Sequence, residues 1–169
     1  MEITLDTWII SDTHFKHKNI VKYCNRPMGH NELMARNWHE LVQPEDTVLH
    51  LGDLMVWYGD EDVVDAMEIA QNLPGKKFII RGNHDHITTE EFAELGFTEV
   101  PPFIQKFGQN RVLFSHYPDH GPGWDINVHG HIHNNDHRDP SGNLINSSRY
   151  VNASIEMMDY KPVLLRRLL

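Results

Sequence analysis

Short apolar runs rich in β-branched and aromatic residues punctuate the chain, and each reads as a buried strand. Five stand out: Trp8-Ile9-Ile10, Val48-Leu49 with Leu51, Phe78-Ile79-Ile80, Val112-Leu113-Phe114, and Ile126 with Val128. Each stops at a polar cluster, in order Ser11-Asp12-Thr13-His14, Gly52-Asp53, Gly82-Asn83-His84-Asp85, Ser115-His116, and His129-Gly130-His131-Ile132-His133. Between them Met34, Trp38 and Leu41, and again Val63, Met67 and Ala70, recur at helical spacing. Asp60 and Thr88, each followed by acidic residues, are the expected N-caps. Past the last cluster, Arg149-Tyr150-Val151-Asn152 and Val163-Leu164-Leu165 predict two further strands, joined through Tyr160-Lys161-Pro162 as a hairpin or second sheet. This alternation predicts a layered α/β domain. In such sheets the carboxyl ends of the strands form the ligand crevice, so five separate segments would aim polar groups at one place.

With 169 residues, the chain suits one domain spanning 1–169, with no room for a large cap, so the site is expected to lie open. Its formal charge of −9 disfavours tight, nonspecific duplex nucleic-acid binding. No basic start with an apolar run marks a signal peptide, and no stretch of about 18 apolar residues predicts a membrane span, which makes the cytoplasm the expected location. Cys24 is the sole cysteine, so any metal must be bound through nitrogen and oxygen. Thirteen histidines stand beside only 15 Lys plus Arg, and their positions carry the chemistry.

Asp12 and His14 lie two residues apart at a strand end, where extended backbone would point both to the same side. His131 and His133 repeat the spacing, and Asp53, Asn83 and His116 add ligands from other strands. Imidazole with carboxylate suits Mn, Fe, Co, Ni or Zn better than Ca or Mg. Seven ligands exceed one tetrahedral site, whereas two ions sharing Asp53 use them all. Metal pairs about 3.5 to 4 Å apart clamp both oxygens of an in-line displacement and generate hydroxide near neutral pH, which is phosphoester chemistry.

These motifs resemble those of the calcineurin-like metallophosphoesterases: Asp12-Thr-His14, Gly52-Asp53, Gly82-Asn-His-Asp85, His116 and Gly130-His-Ile-His133, in the family's order. The resemblance implies an α-β-β-α sandwich of two mixed sheets flanked by helices. It further implies two divalent ions, manganese first among them, held by Asp12, His14, Asp53 and His133 and by Asp53, Asn83, His116 and His131. Hydroxide on the metals would attack phosphorus, His84 would act as general acid, Asp85 would orient its ring, and Asn83 would also touch the phosphate. The implied activity is hydrolysis of a small, nucleotide-like phosphate ester, a diester before a monoester. The alternative is a protein-binding scaffold with structural metals, marked by an exposed apolar patch at Leu54 to Tyr58 or Leu164 to Leu169.

Substrate contacts are expected from His17, Arg26, His86 and Tyr117. Lys16, Lys18, Lys22 and Arg26 form a basic stretch that either draws in a phosphodiester or is a solvated helix face. Phe15, Trp57, Tyr58, Tyr117 and Trp124 either stack on a substrate ring or pack. His39 is expected at the surface of its helix, and His50 buried as a supporting residue. The oligomeric state is not legible in the sequence.

Overall fold

The computed structural model describes the backbone of residues 1–56 and 60–169, and the side chains of these except residues 60–63. Trp57 and Tyr58 therefore lie outside the described residues. Two mixed sheets stack face to face, with helices flanking them. The first sheet contains β1 (Trp8–Ile10), β2 (Thr47–His50), β3 (Lys76–Ile79), β4 (Phe97–Glu99) and β9 (Val163–Leu164), in the order β4-β3-β2-β1-β9. Only β9 runs antiparallel to its neighbour. The second sheet contains β5 (Phe103–Phe107), β6 (Asn110–Phe114), β7 (Ile126–His129) and β8 (Tyr150–Asn152), in chain order, antiparallel at β5–β6 and parallel thereafter.

Side-chain alternation builds the layers. Ile9 and Leu49 face the second sheet and join Val112, Phe114 and Val128 in the core between the sheets. Their neighbours Ile10 and Val48 face the other way, against α2 (His30–Leu41), α3 (Asp60–Asn72) and α4 (Thr89–Glu94), which contribute Met34, Trp38, Ala66, Ala70 and Phe92. A short α1 (Ile20–Cys24) follows the first polar cluster. The predicted helical spacings correspond to α2 and α3, although Leu41 ends up on the surface. Thr88 caps α4 in a reciprocal box with Glu91. Asp60 is the first helical residue of α3 rather than its cap.

The two C-terminal strands do not form a hairpin. Tyr150–Asn152 pairs with β7 in the second sheet, and Val163–Leu164 crosses to pair with β1 in the first. Strands β4 and β5 were not foreseen. Leu54, Met55, Val56 and Leu165 are buried in the cores, so they supply no exposed patch for a scaffold, and Phe15 is likewise a core residue.

Candidate metal centre

Each predicted polar cluster follows the carboxyl end of its strand: Asp12 and His14 after β1, Asp53 after β2, Asn83 to Asp85 after β3, His116 after β6, His131 and His133 after β7. The crevice is built jointly by the two sheets. Asp12, His14 and His133 bring donor atoms within 4.8 Å of one another, and Asp53, His116 and His131 do the same. The carboxylate of Asp53 stands between the groups, Oδ2 lying 3.4 Å from His14 Nε2 and 3.5 Å from His116 Nε2. Asn83 Oδ1 lies 3.0 Å from both His116 Nε2 and His131 Nδ1, completing the second group.

The backbone route differs from the expected one. Asp12, His14, Asp53, His131 and His133 all sit at positive φ, between 46° and 71°, instead of in extended conformation. Among the described residues nine non-glycine positions have positive φ, so five of them being candidate ligands concentrates strain at this site. Close approach also demands glycine: a Cβ on Gly130 would overlap Ser11 Oγ and Asp12 Oδ2, and one on Gly82 would overlap the Asp53 carboxylate.

Supporting groups fix which nitrogen faces the crevice. His116 Nδ1 donates to Leu51 O at 2.8 Å, leaving Nε2 as a lone pair toward Asp53 and Asn83. His133 Nδ1 meets the Glu156 carboxylate at 3.1 and 3.2 Å, which turns its Nε2 toward Asp12. Glu156 is held in turn by buried Arg26, whose guanidinium also donates to the carbonyls of Asp12 and Thr13, both at 2.6 Å. Arg26 is thus turned into the protein, which corrects the expectation that it meets substrate or belongs to a solvated face. Asp85 accepts from the N–H groups of Asp53, Leu54 and Gly82. It clamps the ligand loops together, where the resemblance implied that it orients the His84 ring. His50 bonds Thr13 and the Gly52 N–H, as a buried supporting residue should. Glu156 and Ser154, which donates to Asp12 Oδ2, carry no motif spacing and were not foreseen.

Electrostatics favour cations. Burial pushes Asp12 up; burial, then the charges of Asp12 and Asp85, push Asp53 up to about 7 against the His84 N–H bond. Burial holds His14 well below the ordinary imidazole range and His116 down at about 4, so both are neutral, lone-pair-bearing rings. His133 is the exception: burial opposes its charge, but hydrogen bonds with Cys24 and Glu156 and the nearby Asp12 push it up to about 10. Both nitrogens of buried His14 lack a hydrogen-bond partner. A buried, unpartnered imidazole facing two carboxylates fits a divalent ion, and the nitrogen and oxygen donor set is that of a transition metal.

The substrate candidates surround this centre. The His84 ring meets His14 edge-on at 5.3 Å, while the backbone N–H of His84 donates to Asp53 Oδ1. His17 is buried 5.5 Å from the His14 ring, His86 is exposed just beyond His84, and Tyr117 lies 4.4 Å from the His131 ring and 4.9 Å from that of His116.

Two sheets whose strand ends converge on paired His/Asp groups define a metallophosphoesterase arrangement. The family model described as calcineurin-like phosphoesterase matches residues 5–159, and the chain belongs to that family. Metal-dependent hydrolysis of phosphate esters is its class of chemistry, and divalent metals are its cofactors. An uncharacterized protein of Methanocaldococcus jannaschii is 35% identical over 165 residues, covering 92% of this chain and 85% of the relative. A crystal structure of a protein of unknown function from Aquifex aeolicus superposes with a TM-score of 0.72 at 29% identity, covering 96% of both chains. The nuclease MPE of Pseudomonas putida shares the fold at a TM-score of 0.51 and 19% identity, over 76% of this chain and 62% of that one. No helix among the described residues is long and apolar enough to cross a membrane.

Proposed function

We propose that this protein is a phosphodiesterase with a dinuclear centre, preferring manganese and acting on a small, nucleotide-like ester. Asp12, His14, Asp53 and His133 would hold one ion, and Asp53, Asn83, His116 and His131 the other. The observation that carries this reading is the Asp53 carboxylate, which belongs to the second group through His116 at 3.5 Å and reaches His14 of the first group at 3.4 Å. When bound, the two ions supply positive charge at the phosphate and a nucleophile from water near neutral pH.

The chain's own residues do the rest. His84 lies beside His14, its ring edge-on at 5.3 Å, and serves as proton donor to the leaving oxygen. Asn83 presents its side chain to the phosphate as well as to the second group. Asp85 fixes the loop that carries both, and Glu156 with Arg26 fixes His133. An opening of about 480 Å³ beside Tyr117 has His116 in its wall, and a second of about 600 Å³ is lined by Lys22 and by His17, whose ring lies 5.5 Å from that of His14, so two ester arms have room. Hence a diester is the favoured substrate.

Metal-stripped protein reconstituted with Mn²⁺ tests the reading. It should bind two ions per chain and hydrolyse model diesters faster than monoesters. Asp53→Asn should lose at least one ion. His84→Ala should keep both while kcat falls roughly 10²- to 10⁴-fold. Fully loaded protein that cleaves neither ester class would overturn it.

A further inference from the structure

The outer face of the second sheet is apolar where it reaches the metal centre. Phe103 and Phe107 turn inward to the core between the sheets, whereas Ile104 between them is 50% exposed. Ile104 pairs across the sheet with Leu113, whose neighbours Val112 and Phe114 also point inward. The segment after His116 folds back over this face, and together they form an open cavity of about 480 Å³ lined by Ile104, Leu113, Tyr117, Pro118, Pro122 and Trp124. That volume falls within the roughly 300–1,000 Å³ typical of small-molecule sites. His116 forms part of its wall, and the half-exposed Tyr117 ring lies against both His116 and His131. The cavity is therefore continuous with the second ligand group.

Its charged lining is already occupied. Arg81 donates to both oxygens of Glu99 and to the carbonyls of Asp85 and Ile87. Asp119 accepts from Trp124 Nε1 at 2.6 Å and from the Gly121 N–H. Trp124 is fixed further by the Arg149 guanidinium, 4.4 Å above its ring. No cation in this lining is left to neutralise a second phosphate, while flat proline, tyrosine and aliphatic surfaces suit a neutral ring. The other flank has the opposite character, with Lys16, Lys18 and Lys22 around it.

We infer that this cavity is a specificity subsite for the neutral aromatic arm of the phosphoester, a nucleobase or aryl group, with Tyr117 as the ring that guides it from the metal centre into the pocket. The inference rests on the phosphodiesterase reading for its substrate and extends it to which ester is chosen. It separates esters by their aromatic arm, which the metal centre alone does not.

Two measurements test it on the Mn²⁺-loaded protein. The first compares bis(4-nitrophenyl) phosphate with methyl 4-nitrophenyl phosphate, which share a leaving group and differ in the arm retained. The second compares binding of non-hydrolysable phenylphosphonate and methylphosphonate by calorimetry. Wild type should favour the aryl member of each pair by roughly ten-fold or more. Ile104→Glu, at an exposed strand position away from the metal ligands, should erase both preferences; Tyr117→Ala should weaken them and Tyr117→Phe should not. Equal treatment of aryl and methyl compounds by wild type, or a preference untouched by Ile104→Glu, overturns the inference even with catalysis intact. Hydrolysis of neither diester, combined with an Ile104-dependent preference for phenylphosphonate, keeps the subsite and sinks the phosphodiesterase reading instead.

Discussion

Glu156→Gln isolates the supporting layer from the ligands. The substitution keeps the shape of the side chain and one carbonyl acceptor but removes the charge that faces His133 Nδ1 at 3.1 Å and Arg26 at 2.7 Å. His133 then loses the partner that fixes its ring, and Arg26, fully buried, loses its counter-charge. Substitutions behind a metal-bound histidine cost about 10- to 100-fold in metal affinity, or roughly 1.4–2.7 kcal/mol. Removing one member of a buried ion pair costs about 3–5 kcal/mol of stability, and the retained glutamine oxygen should bring this toward the lower end. Calorimetric titration of stripped protein with Mn²⁺ should resolve one weakened step, for the ion held by Asp12, His14 and His133, beside one unchanged step. Urea denaturation of the same stripped protein should show the stability loss independently. Two unchanged binding steps would refute the role given to Glu156. Two equally weakened steps in a protein of unchanged stability would refute the division of ligands into two groups.

Asp85→Ala leaves three N–H groups, those of Asp53, Leu54 and Gly82, without their acceptor. At about 1–3 kcal/mol per unsatisfied donor, denaturation midpoints should show a loss of roughly 3 kcal/mol or more, with Asp85→Asn milder. His50 predicts an acid limb. Its Nδ1 accepts from the Gly52 N–H, and its Nε2 donates to Thr13 Oγ1, whose own proton goes to Leu54 O, an arrangement only neutral imidazole satisfies. Burial, with His116 nearby, lowers it to about 3, so its contribution is fully present above pH 6.5 and is lost as pH falls from 6.5 toward 3. By pH 5 the stripped protein should have lost about 2 kcal/mol from this group, and His50→Gln should lose correspondingly less between pH 7.5 and 5; equal losses would contradict the assignment. Gly130→Ala forces a methyl into Ser11 and Asp12, and thermal denaturation should register a cost of about 1–3 kcal/mol together with weaker binding at the first ligand group.

The strands easiest to read were those buried on both faces. Trp8–Ile10, Thr47–His50 and Lys76–Ile79 lie between a helical layer and a second sheet, so their apolar runs are nearly continuous. Phe103–Phe107 is hard to read locally because it alternates, with Ile104 and Lys106 exposed, and Phe97–Glu99 is too short to show a period. Of the two readings of the last strands, the second sheet holds for Tyr150–Asn152, and the hairpin fails for a different reason. The partner of Val163–Leu164 is β1, at the other end of the chain, and nothing local reports a pairing made across such a distance. The convergence of the polar clusters was legible because strand ends in parallel sheets share one edge. Arg26 was misread because a single basic residue near lysines carries no signal that its counter-charge, Glu156, approaches from 130 residues away.

The ligand geometry explains why the supporting residues matter as much as the motifs. Asp12 and His14, two positions apart, share one donor group with His133, whereas His131 and His133, at the same spacing, belong to different groups. Left-handed backbone at Asp12, His14, Asp53, His131 and His133 accompanies these placements, at about 1–3 kcal/mol each in strain. Strain of that size persists only where surrounding bonds over-determine the loops. Arg26 grips the carbonyls of Asp12 and Thr13, Asp85 grips the N–H groups after β2 and β3, and Asn152 donates to the carbonyl of His133 at 2.6 Å. Apart from Asp85, these anchors stand outside the metal-binding motifs. A chain carrying all five motifs but lacking Arg26, Asn152 and Glu156 would have the ligands in sequence and not in space.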